Sequence, residues 1–350
     1  MTTSDAPAQP APADGGVHTR LPLVPSAAFV LVWTSGYIAG PAAVAAVEPF
    51  TALALRFALA AAVTAVVARR LRGPMRIRGA VLGRVALVGL AMNGAVFALT
   101  YLAFDAGMGA TLASLLHALS PVLTALLAGV VLRERLSTLQ VVGFVLGVLG
   151  VVLVLGPDVD EAGGPVAVLL GLLSLLALSL GTLGQRWYGA HADVAGARAV
   201  APDPWWAATV QFAVCVPPLA VFALLLEGVH PVPDPVVGTV SVVWLALVNS
   251  IAGLLLLGSL VRRGGAGASA SLFFVCPPVT AVLAFLFFGA TLDARELVGI
   301  VIATVGVAVA TGALSPTSWA RLRPTPRGSG SGADASPRRG AESPDASRPD

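Results

Sequence analysis

Long apolar runs dominate the chain, and short polar breaks divide them. Apolar runs of about 18–25 residues are long enough to cross a bilayer as helices. Ten can be read, at about 24–44, 50–69, 79–103, 107–130, 138–156, 165–187, 205–226, 237–261, 265–288 and 295–314. The weak apolar/polar alternation of a membrane barrel is absent. The expected fold is therefore an all-α integral membrane protein of ten transmembrane helices. A Pro/Ala/Asp-rich segment, 1–21, precedes them and a low-complexity tail, 315–350, follows; both are expected to be disordered. The first segment lacks a basic stretch followed by a short apolar run, so it does not read as a cleaved signal peptide.

Charge in the breaks orients the spans. Arginine occurs at Arg20, at Arg69, Arg70, Arg72, Arg76 and Arg78, at Arg133 and Arg135, at Arg186 and Arg198, at Arg262 and Arg263, and at Arg321 and Arg323. These are the even-numbered breaks and both ends. The other breaks carry Glu48, Asp105, Asp158, Asp160, Glu161, Glu227 and Asp234, with Arg295 between Asp293 and Glu296 as the exception. Cytoplasmic loops collect arginine, so both termini are expected in the cytoplasm. An even number of spans is required for that.

Composition agrees with lipid as the solvent. Of 350 residues 57% are hydrophobic and only 11% charged, with a mean hydropathy of +0.87; soluble domains carry about 25% charged residues. Every basic residue is arginine, which excludes a P-loop and Schiff-base chemistry. The net charge of +3 is small and the arginines flank apolar runs, so nucleic-acid binding is not expected. Cys215 and Cys276 lie inside apolar runs and read as small buried residues.

The sequence also repeats. "GATLASLLHALSPVLTALLAGVVLRERLSTLQVVGFVLGVLGVV" from Gly109 aligns without a gap to "GAGASASLFFVCPPVTAVLAFLFFGATLDARELVGIVIATVGVA" from Gly265. Gly109/Gly265, Pro121/Pro277, Thr124/Thr280, Leu136/Leu292, Gly143/Gly299 and Gly150/Gly306 match. The copies hold the fourth and fifth helices and the ninth and tenth. The expected domains are thus two five-helix repeats, 22–156 and 165–314. An odd number of spans per repeat inserts the second copy upside down, an architecture of secondary transporters whose substrate site lies where the halves meet. Pro121 and Pro277 would bend both copies at one place, either shaping a central cavity or merely curving the helices. Gly143, Gly147 and Gly150, and Gly299, Ala303 and Gly306, recur on one helix face and read as close-packing surfaces.

These residues resemble a known family. "VWTSGYIAG" in the first helix, "ALALRFALAA" in the second, "SPVLTALLAGVVLRERLS" in the fourth and the spaced glycines of the fifth are similar, in this order, to the drug/metabolite transporter superfamily, EamA type. The resemblance covers about residues 24 to 314. It implies a multi-pass protein of the cell membrane that moves small metabolites or drugs, often outward, with no cofactor. The family's glutamate after the fourth helix matches Glu134; the second copy has Ala290 there.

Polar side chains at membrane depth face a cavity or a partner. By that criterion Trp33, Ser35, Tyr37, Arg56, Asn93, Tyr101, His117 and Asn249 are the candidate substrate-binding residues, with Gln211 nearby. Arg56 could clamp a carboxylate through paired hydrogen bonds, or pair with Glu48, or snorkel to the outer surface. His117 could relay a proton or bind substrate, or be a neutral histidine satisfied by a neighbouring helix; the second copy has Phe273 there. Trp33 reads as a cavity wall, Trp205 and Trp206 as interfacial anchors. The expected function is secondary transport of a small organic metabolite or drug, an amino acid or related compound among the candidates, more by export than import. An intramembrane enzyme and a channel-like facilitator are the alternatives, though no His-Glu-x-x-His or Gly-x-Ser-x-Gly motif occurs. The expected partners are a small-molecule substrate and the lipid bilayer, with a coupling proton and a second copy in a homodimer as further candidates. No metal or cofactor is expected.

Overall fold

The computed structural model describes residues 21–131, 137–157, 159–194, 202–228, 230 and 232–311; for 161, 186–194, 264–268 and 270 it describes the backbone alone. The two terminal segments, the loop with Arg133, Glu134 and Arg135, and Asp158, Arg198, Arg321 and Arg323 lie outside these residues. So do the side chains of Glu161 and Arg186.

Within the described residues the chain is helical. The spans are α1 (Leu23–Ala46), α2 (Pro49–Arg72), α3 (Gly79–Asp105), α4 (Ala110–Val131), α5 (Thr138–Leu155), α6 (Gly164–Val194), α7 (Pro204–Glu227), α8 (Pro235–Arg263), α9 (Ser271–Phe288) and α10 (Ala294–Ala310). The first nine are long and apolar enough to cross a membrane; α10, with 17 described residues, is the counterpart of α5. The helix starts follow local chemistry. Asp203 and Asp234 cap α7 and α8, each followed by proline, and capping boxes at Ser137/Gln140 and Asp293/Glu296 open α5 and α10.

Two expectations about the spans need correction. No break separates the eighth and ninth helices at Arg262–Arg263: helical backbone continues from Gly253 to Ala270. The segment is small-residue-rich but contains no proline, so every residue keeps the N–H the helix needs. The fourth helix is not continuous. It breaks at Leu119 and restarts at Ser120, with Pro121 in the new first turn. The ninth does the same: a 3₁₀ turn, Ser271–Phe274, and Val275 precede a helix that restarts at Cys276 with Pro277. The two breaks fall at aligned positions of the repeat.

Packing follows the same symmetry. α2 packs on α7, α4 on α9 and α5 on α10, each on its own counterpart. α1 packs on α8 and α9, as α6 packs on α3 and α4. Swapping the halves exchanges these pairs, as a pseudo-two-fold axis requires, and five spans per half invert the second copy. The α5–α10 seam is made of the expected glycines. A Cβ on Gly150 would lie 2.5 Å from the Gly299 carbonyl oxygen and the Ala303 nitrogen; one on Gly306 would lie 2.6 Å from the Gly147 nitrogen. α5 therefore buries its glycines and exposes Val145, Leu149 and Val152 at 50–55%, the reverse of a soluble helix.

Candidate transport site

α3 and α8 each carry a π-helical segment at midspan, Leu90–Ala95 and Leu245–Ala252. Such widened turns mark functional places in helices. Each contains one asparagine, Asn93 and Asn249, at the same spacing that separates Gly109 from Gly265. The repeat thus extends back through the third and eighth helices.

The two asparagines have different partners. Asn249 donates to the Val32 and Trp33 carbonyls of α1, 3.2 Å each, and accepts from Arg56 Nη2 at 2.8 Å. It reaches α1 because Gly36 has no side chain; a Cβ there would overlap the Asn249 amide. The Asn93 side chain forms no hydrogen bond among the described residues and lines the central cavity.

Arg56 is 2% exposed. Its Nε donates to Ser250 Oγ (3.1 Å) and its Nη1 to Tyr101 Oη (3.0 Å). Its guanidinium carbon lies 4.3 Å from the centre of the Phe97 ring and 5.3 Å from that of Phe57. Among the described residues no carboxylate forms a salt bridge with it. Both structural readings of Arg56 are therefore overturned. Glu48 is exposed at the start of α2 and does not reach it, and the side chain turns inward to α8 instead of snorkelling. Three of its five N–H groups are engaged, and one N–H on each terminal nitrogen is left for a further acceptor.

On the far wall, His117 is satisfied by neighbours. Nδ1 lies 2.9 Å from Tyr37 Oη, and Nε2 lies 2.9 Å from Ser174 Oγ. Ser174 and Thr100 both reach the Val96 carbonyl, at 3.0 and 2.7 Å. A neutral imidazole that accepts from Tyr37 and donates to Ser174 completes the chain.

Between these groups lies a cavity of about 380 Å³, within the range of small-molecule sites. Trp33, Tyr37, Arg56, Asn93, Tyr101, His117 and Asn249 all line it, with Gln211. Ser35 does not. It lies on another face of α1, its hydroxyl on the Val32 carbonyl and accepting from Trp244 Nε1, because two residues along a helix turn a side chain by about 200° from Trp33. Phe97, Thr100, Ser250 and Phe273 were not anticipated; Ser250, a hydroxyl beside Asn249 in an apolar run, carried the readable signal. Trp33 and Phe273 meet edge to face at 5.0 Å. Among the described residues lining the cavity none is acidic, and none form a metal-binding group of three or more.

The ends of the cavity differ. Gln185, beyond the midpoint of α6 and toward the arginine-bearing ends, is exposed, whereas Tyr101 (1%) and Ser114 (1%) near the acidic ends are buried. At that second end Glu227, in the π-helical last turn of α7, accepts from the Phe50 and Thr51 amides and the Thr51 hydroxyl at 2.5–2.9 Å. It caps α2 from the other repeat, a role beyond that of a loop acid. At the first end, Arg72 pairs with Asp203 at 3.2 Å. Trp206 also donates to the Gly73 carbonyl, so it ties two helices together.

A ten-helix, twofold-repeated membrane fold thus surrounds a mostly apolar midspan cavity that holds a few polar groups. A family model described as EamA-like transporter family matches residues 25–156 and again 166–312. The chain belongs to the EamA-like transporter family. It is accordingly a multi-pass transporter of the cell membrane and not an enzyme. A probable amino-acid metabolite efflux pump of Salmonella typhimurium is 25% identical over 79% of this chain and 90% of its own length; one of Escherichia coli is 26% identical over the same shares. A probable terminal-alkyne amino-acid exporter of Streptantibioticus cattleyicolor is 29% identical over 56% of this chain and 62% of its own. A solved crystal structure of a protein superposes with a TM-score of 0.56 at 22% identity, over 82% of this chain and 95% of the other; that likeness concerns the fold alone.

Proposed function

We propose that this transporter exports a small organic carboxylate of the amino-acid metabolite class by alternating access around the Arg56 cavity. The carrying observation is Arg56 itself. It is a permanent cation, buried in the membrane, held by neutral groups and two aromatic rings, and facing a cavity with no acidic residue among the described residues that line it. A buried charge without a counter-charge is costly, and a carboxylate arriving from the cavity supplies one. Trp33, Tyr37, Asn93, Tyr101, His117 and Asn249 complete the site. The relatives named as efflux pumps and exporters support the direction. So does the exposure of Gln185 toward the arginine-bearing ends, which the positive-inside rule expects in the cytoplasm.

The purified chain in proteoliposomes tests this. Loaded with an N-acylated or plain amino-acid carboxylate, it should show saturable uptake of the labelled compound driven by counterflow, and Arg56→Lys should weaken it. Ionic conductance with no counterflow would support the channel-like reading instead.

A further inference from the structure

The chemistry left over in the cavity narrows the substrate. A zwitterionic amino acid brings an ammonium as well as a carboxylate. Arg56 serves the carboxylate, but the lining offers the ammonium no counter-charge among the described residues. The acceptors nearest Arg56 are already occupied: Asn249 Oδ1, Tyr101 Oη and Ser250 Oγ all accept from the guanidinium. The aromatic faces are also engaged. Phe97 and Phe57 face Arg56, and Trp33, Phe273 and Phe29 pack against one another at centroid distances of 5.0–5.5 Å. Tyr37, Thr100, Ser114 and His117 in the lining are hydrogen-bonded to other groups, which leaves the neutral amide groups of Asn93, Gln185 and Gln211 without a side-chain hydrogen bond among the described residues. Removing an ammonium from water against such partners is costly. An apolar or amide-containing body, by contrast, meets apolar walls and amide groups that donate and accept.

We infer that the cavity selects monoanionic carboxylates whose amine is acylated, otherwise masked, or absent, over zwitterionic amino acids. The inference rests on Arg56 as the carboxylate's partner. It gives the uncommitted Asn93 a role in specificity: its amide meets the position an amine would occupy and accepts a neutral N–H there.

Equilibrium binding to the purified full chain tests it with four probes that share a 3-phenylpropanoyl skeleton: N-acetyl-L-phenylalanine, 3-phenylpropionate, L-phenylalanine and N-acetyl-L-phenylalaninamide. The two monoanions are expected to bind at least tenfold more tightly than L-phenylalanine, and the neutral amide not to saturate. Arg56→Gln, or Arg56→Lys if the first does not fold, should abolish that advantage. Asn93→Asp places a carboxylate in the lining and should shift the preference toward L-phenylalanine by tenfold or more. If L-phenylalanine binds as tightly as its N-acetyl form and both are lost in the Arg56 variants, or if Asn93→Asp leaves the ratio unchanged, the selectivity is wrong and the Arg56 reading stands. If no carboxylate binds, or all bind the Arg56 variants unchanged, both are overturned.

Discussion

Arg56 holds its place through Asn249, and Asn249 holds its own through the absence of a side chain at Gly36. The three form one unit across α2, α8 and α1. Gly36→Ala should therefore act at a distance from its own helix. Overpacking costs about 1–3 kcal/mol, so the melting temperature should fall, and carboxylate affinity should fall with it as Asn249 shifts from Arg56. Loss of stability with unchanged affinity in Gly36→Ala would separate the glycine from the site. Gly36 and Gly40 stand four residues apart in α1, the spacing of a packing face, and lie beside polar residues. Which partner filled the gap at Gly36 could not be read, because the partner lies on a helix more than two hundred residues away. The polar residues themselves were readable, since each interrupts an apolar run. Ser35 misled for the same reason: polarity marks a residue at membrane depth, but the helical angle decides which neighbour it meets.

Helix number and most boundaries were legible because spans announce themselves by length and composition, and the repeat was legible because its prolines and glycines recur in register. The π-helical segments of α3 and α8 were not. They arise from packing and have no side-chain signature beyond the paired asparagines, which were legible singly and overlooked as a pair. The α5–α10 seam gives the sharpest test of packing. Gly150→Ile drives a branched side chain into the α10 backbone and should cost about 1–3 kcal/mol or fail to fold, read as a drop in melting temperature in detergent. Val152→Ile, at a side chain that is 55% exposed, should leave it unchanged. The cap that Glu227 places on α2 should be worth about 0.5–2 kcal/mol, so Glu227→Ala should lower the melting temperature, with Glu227→Gln retaining part of the loss.

Along the cavity, Gln185 toward the arginine-bearing ends is exposed and Tyr101 and Ser114 toward the acidic ends are buried, which fits the proposed loading from the cytoplasm. The positive-inside rule is the ground for expecting the loop with Arg76 and Arg78 inside the cell. A single cysteine at position 75, with Cys215 and Cys276 replaced by alanine, should resist a membrane-impermeant thiol reagent in intact cells and react in inverted vesicles; labelling in intact cells would reverse the topology. All of this turns on Arg56 as a cation that waits for its counter-charge. The most direct measurement compares Arg56→Met with the unaltered chain, for carboxylate affinity and for ligand-free melting temperature together. The account predicts affinity lower by about ten- to a hundred-fold, the loss of a charged hydrogen bond of about 1.5–3 kcal/mol, with a ligand-free melting temperature that holds or rises because an uncompensated buried charge has been removed. Unchanged affinity with a lowered melting temperature would contradict it and make Arg56 part of the scaffold.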